Sequence, residues 1–95
     1  MPSRTRTVGP EASEYLADLI KETRLAQKLS MPKLSAKMYE QGFEMSAATI
    51  NAIENGIALG DHRRTRLITV DELKAFAKVL QIPPQDIINW LYDQQ

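Results

Sequence analysis

Residues 46–56, SAATINAIENG, constrain the fold more than any other stretch of the chain. Ser46 is a strong helix N-cap type and Asn55-Gly56 is a stop signal, so the segment predicts a short helix fixed at both ends. Ile50 and Ile53, three apart, form its inward edge, while Ala47, Ala48, Thr49, Asn51 and Ala52 leave an outward face of small residues. About sixteen residues upstream a second short helix opens at Leu29-Ser30. Ser30 caps it, Pro32 is tolerated in its first turn, and Met31, Leu34, Ser35 and Met38 share one face. Gly42 ends it in the left-handed conformation.

The rest of the chain repeats this grammar. Residues 1–9 read as a polar, flexible arm, and residues 10–95 as a single domain. Pro10 suits the first turn of a first helix, with Glu11 and Glu14 near its positive end. Ala12, Tyr15, Leu16, Leu19, Ile20 and Thr23 carry its apolar stripe down to about Gln27. Residues 57–68 read as a long connection without a strand. Thr69 and Glu72 form a capping box that starts a fourth helix, which buries Leu73, Phe76, Ala77 and Leu80. Pro83 and Pro84 break it and open a fifth helix with Ile87, Ile88 and Leu91 inward. The expectation is an all-α domain of five helices.

Composition removes several classes of function. The 95 residues contain no cysteine, which excludes a disulfide framework, a thiol nucleophile and a zinc-finger ligand set. A cytoplasmic setting is the expectation, because the apolar runs are too short to span a bilayer and the first ten residues lack the apolar core of a secretory signal. The single histidine, His62, sits among arginines without a metal-site or catalytic partner, and no glycine-rich phosphate cradle occurs. Neither an enzyme, a metal site nor a cofactor is expected. Zero net charge argues against a nonspecific, histone-like coat on nucleic acid. The charges are nevertheless segregated: Arg4 and Arg6 lie in the arm and Arg63, Arg64 and Arg66 in the long connection. Acidic residues gather at Glu11, Glu14, Asp18 and Glu22.

Certain strings extend the argument beyond periodicity. Arg24 is followed by Leu29-Ser30, then Leu34-Ser35, then TINAIENG at 49–56, then TVDEL at 69–73 and AKVLQIP at 77–83. Together they resemble the lambda repressor/Cro (XRE) family of helix-turn-helix DNA-binding domains across roughly residues 16–88. Two positions depart from the family pattern: Met31 stands where members usually carry a phosphate-contacting Gln, and residues 39–45 make a longer turn than usual. Phe43 and Met45 are expected to turn inward and pack that longer turn.

The resemblance implies a lambda-repressor-like fold with the helix-turn-helix in the second and third helices, the third reading bases. Carried over position by position, it implicates Ala47, Ala48, Thr49, Asn51 and Ala52 in base contacts. Asn51 is the best base-edge reader, since its amide can pair bidentately with adenine. Phosphate or minor-groove contacts fall to Arg4, Arg6, Lys33, Lys37, Ser46, Asn55, Arg63, Arg64 and Arg66, any of which could equally be solvated. Arg24 and Glu54 are implied to form a structural salt bridge between the first and third helices. Trp90 and Tyr92 either close the core or make a dimer contact; the expectation places Leu91 in the core and one of these aromatics at an interface. The implied function is that of a DNA-binding transcriptional regulator, a repressor acting as a homodimer. The competing expectation is a protein-interaction adaptor or antitoxin-like partner on the same fold.

Overall fold

The computed structural model describes the backbone of residues 8–93 and the side chains of residues 8–90. Five helices and one hairpin follow in order: α1 (Pro10–Ala26), α2 (Met31–Glu40), α3 (Ala47–Asn55), β1 (Ile57–Leu59), β2 (His62–Arg64), α4 (Val70–Val79) and α5 (Pro84–Asp93). Tyr92 and Leu91 therefore have a helical backbone, but their expected side-chain roles lie outside the described residues, as do Arg4 and Arg6.

Local hydrogen bonds explain where most helices begin. Ser30 Oγ accepts from Lys33 N at 3.2 Å and Ser46 Oγ from Thr49 N at 3.1 Å. Thr69 Oγ1 accepts from Glu72 N while Glu72 Oε1 accepts from Thr69 N, both at 3.0 Å, which completes the capping box. Each such cap contributes about 1 kcal/mol. The α2 helix ends as Gly42 takes φ +91°, with Gly42 N donating to Tyr39 O and Phe43 N to Met38 O. That reversal sends Phe43 and Met45 back onto the core, and Ser35 Oγ donates to Met45 O at 2.5 Å to hold the turn.

The core is built from Leu16 and Ile20 of α1, Leu34 and Met38 of α2, and Ile50 and Ile53 of α3. Ile68, Ala75, Phe76, Val79, Leu80 and Ile82 close it from the α4 side. Full burial of each large aliphatic or aromatic side chain stabilises the fold by about 1.5–3 kcal/mol. The inward face of α4 is broader than one stripe: Ala75 and Val79 are buried, whereas Leu73 and Ala77 are half-buried. On α5, Ile87 packs against the core but Ile88 points outward and is 46% exposed, contrary to the sequence expectation. Consecutive residues on a helix are 100° apart, so the two isoleucines cannot share one narrow contact.

Two further expectations need correction. The connection 57–68 contains an antiparallel hairpin with register Ile57↔Arg64, Ala58↔Arg63 and Leu59↔His62, so the domain is mostly helical and not purely so. Its two-residue loop is Gly60-Asp61, with Gly60 at φ +60°. Val8, assigned to the arm, is part of the packed domain: its N donates to Ile68 O at 2.9 Å and its side chain rests on the core. Buried Ser13 completes this junction, donating to Val8 O at 3.3 Å and accepting from Ile68 N at 3.1 Å.

Candidate nucleic-acid interface

The α3 helix has an apolar back and a small-residue front. Ile50 and Ile53 are buried, Ala48 and Asn51 are exposed, and Ala47, Thr49, Ala52 and Asn55 are half-buried. Asn55 Nδ2 donates to Asn51 Oδ1 at 2.7 Å, a bond between residues one turn apart. It fixes the Asn51 amide and leaves its own NH2 group and the second lone pair of Oδ1 for an outside partner. Thr49 Oγ1 lies 3.1 Å from Ser46 Oγ, so the cap and the first turn are one hydrogen-bonded unit.

The orientation of α3 is set from behind. Arg24 Nε and Nη2 donate to Glu54 Oε2 and Oε1 at 2.7 and 2.9 Å, a bidentate pair joining α1 to α3. The remaining Arg24 Nη1 donates to Leu29 O at 2.8 Å, just before α2. The side chains are 7% and 0% exposed, respectively. The hydrogen bonds to Glu54 hold the Arg24 guanidinium pKa above its ordinary value, despite burial. One arginine thus ties three helices together at a point directly beneath α3.

The hairpin is attached at the other end of α3. Gly56 adopts φ +82°, and a Cβ there would lie 2.9 Å from the carbonyl oxygen of Arg64. Only glycine permits this close return of the chain. Arg63 Nη1 then donates to Asn55 O at 3.0 Å, placing positive charge at the negative end of the α3 dipole. Arg66 gives its fork to Glu72, at 2.8 and 2.9 Å, and a further bond to Leu67 O at 3.2 Å. Burial pushes the Glu72 carboxyl up, but the hydrogen bonds from Arg66 and from Thr69 N outweigh it, and its pKa lies below the usual value. Of the three arginines, Arg64 alone has no side-chain partner among the described residues; Arg63 caps a helix and Arg66 is taken up by Glu72.

Lys33 and Lys37 are exposed one turn apart on α2. On the same helix, Pro32, Ala36 and the 69%-exposed Tyr39 join Met45 and Ser46 around a shallow, open groove of about 610 Å³. This groove links α2 to the N-terminus of α3, and sequence periodicity gave no reason to single out Tyr39. Trp90 is half-buried, and its Nε1 donates to Tyr15 O at 2.6 Å. That bond points the polar edge of the indole into its own chain, which narrows its use at an interface. Among the described residues, no three His, Cys, Asp or Glu side chains gather into a metal-binding group. Among these residues, too, no helix is long and apolar enough to cross a membrane.

Comparison with protein-family models, curated proteins and solved structures finds no match for the chain.

Proposed function

We propose that this chain is a sequence-specific DNA-binding transcriptional regulator, with a lambda repressor/Cro-like fold in which α2 and α3 form the helix-turn-helix. The observation that carries the reading is the two-sided character of α3. Its back is locked by the Arg24–Glu54 pair and two buried isoleucines, while its front offers alanines, Thr49 and an oriented Asn51 amide. A rigid helix with small side chains can approach base edges closely, and an Asn amide matches the major-groove edge of adenine. Ala47, Ala48, Ala52 and the Thr49 methyl suit thymine methyl groups. Lys33, Lys37, Ser46, Asn55, Arg63 and Arg64 supply backbone contacts, with Arg64 the strongest candidate for a full phosphate pair. Acting as a repressor, the chain would work as a homodimer on a pseudo-palindrome with half-sites about 10–10.5 bp apart or a multiple of that.

Selection of bound oligonucleotides from a random pool tests this reading. A symmetric enriched motif is expected, with binding weakened by Asn51→Ala and by rising salt. Absence of any enriched sequence at low salt overturns it. Exposed Leu25, Leu59 and Ile88 favour a protein-interaction module as the second reading. That module would ignore DNA in the same selection and lose its partner on substitution of those residues.

A further inference from the structure

The chain has three asparagines, and Asn55 alone precedes a glycine; Asn51 is followed by Ala52 and Asn89 by Trp90. The backbone nitrogen of the next residue can attack an asparagine side-chain amide, and a following side chain obstructs that approach. Glycine offers no obstruction because it carries no Cβ. The structure explains why both halves of this reactive pair are present. Gly56 has φ +82° and no room for a Cβ beside Arg64 O, so the return of the hairpin demands glycine. Asn55 Nδ2 donates to Asn51 Oδ1 at 2.7 Å, so the exposed face of α3 uses the amide.

Folding also blocks the reaction. Gly56 N donates to Ala52 O at 2.8 Å, the bond that closes the last turn of α3, and Asn55 Nδ2 is held on Asn51. Ring closure needs Gly56 N to swing onto Asn55 Cγ. That backbone rotation breaks the first bond, and the accompanying side-chain rotation breaks the second. Arg63 Nη1 on Asn55 O is a third restraint. Behind the helix, the Arg24–Glu54 pair fastens the residue before Asn55 to α1. Local opening of this junction is the step that admits the chemistry.

We infer that Asn55 is a spontaneous modification site, a deamidation gated by opening of the junction between α3 and the hairpin. Gly56 N, giving up its proton to solvent, attacks Asn55 Cγ; the Cγ–Nδ2 bond breaks, and the leaving nitrogen takes a proton and departs as ammonia. Water opens the resulting succinimide at either carbonyl, which yields aspartate or isoaspartate. Neither product keeps Nδ2, so Asn51 Oδ1 loses its donor. Isoaspartate also routes the main chain through the former side chain. It adds one methylene where Arg64 O lies 2.9 Å from the Gly56 Cβ position, and so displaces the hairpin. One consequence rests on the DNA-binding reading: each product brings a negative charge to the surface proposed to meet phosphates, which weakens binding irreversibly.

Peptide mapping by mass spectrometry of the full chain, aged in mildly alkaline buffer with and without concentrated urea, tests the site with no DNA present. In urea, Asn55 should convert faster than Asn51 and Asn89. In native buffer its conversion should be at least about tenfold slower than in urea. Arg24→Met loosens α3 from behind without altering the sequence around Asn55. It should speed conversion at least about threefold in native buffer and leave the urea rate unchanged. In the purified isoaspartate form, amide NMR shifts should concentrate at residues 51, 56–58 and 63–65. Equal rates at Asn55 with and without urea, no preference for Asn55 in urea, or a native rate untouched by Arg24→Met overturns the inference. Such a failure leaves the DNA-binding reading standing, and a failed oligonucleotide selection leaves the ageing result intact.

Discussion

Replacing Glu54 with alanine strands the Arg24 guanidinium. Two of its donors, Nε and Nη2, lose their acceptors while the side chain stays only 7% exposed, and Leu29 O remains its one partner. Breaking a buried ion pair from one side costs about 3–5 kcal/mol, because the remaining charge is uncompensated. A domain of this size loses about 4–8 °C of melting temperature per kcal/mol, so the transition should fall by at least ~12 °C. Total stabilities of about 5–15 kcal/mol make this a large fraction of the whole. Urea melts of wild type, Glu54→Ala, Glu54→Met, Arg24→Met and the Arg24→Met/Glu54→Met double variant measure the effect and close the cycle. The double variant should be more stable than Glu54→Ala, since no buried charge is left behind. A Glu54→Ala loss below about 1 kcal/mol, or single-variant losses that simply add, would refute the reasoning.

Gly56→Ala forces a Cβ against the Arg64 carbonyl at a positive φ, so urea melts should show a loss of about 1–3 kcal/mol with chemical-shift changes concentrated in the hairpin. Glu72 has a lowered folded pKa; its contribution is therefore present above the unfolded carboxylate value and lost as pH falls through the folded one. Thermal melts across pH should find Glu72→Gln less stable than wild type near neutrality, with the gap closing in acid. Under the DNA-binding proposal, fluorescence anisotropy should show Asn51→Ala losing about 1–3 kcal/mol of discrimination at one base pair. Arg64→Gln should reduce the salt slope by about 0.9, while Arg66→Gln lowers melting temperature and leaves the slope unchanged.

The helices were legible because their signals are local. Ser30, Ser46 and Thr69 lie within three residues of the amides they satisfy, and Gly42 needs only its own φ. The hairpin was not read because its strands are three residues long and His62-Arg63-Arg64 offers no apolar alternation. Gly60-Asp61, a two-residue hairpin loop flanked by Leu59 and His62, was the available signal. Long-range polar partners were harder still. Nothing near Ser13 in sequence announces a bond to Ile68, and the Arg66–Glu72 pair forms only once the capping box has turned Glu72 back toward the connection. The capped ends of α3, its buried isoleucines and its front of small residues were readable in its residues. The oriented Asn51 amide and the separate employment of the three arginines were not, since each depends on partners brought in by folding.

The polar ties of α1 carry a consequence for how the molecule assembles. Ser13 bonds to Ile68, Gln27 Nε2 to Leu80 O at 2.8 Å, and Tyr15 O to Trp90, spanning 55, 53 and 75 residues of chain. During synthesis α1 emerges first, yet the groups that complete its surroundings emerge last. Those three bonds cannot form until nearly the whole domain has left the ribosome, so the face of α1 that carries them waits longest for its partners. Trp90, the single tryptophan, docks at the end of that wait, which makes its fluorescence a built-in clock for completion of the fold.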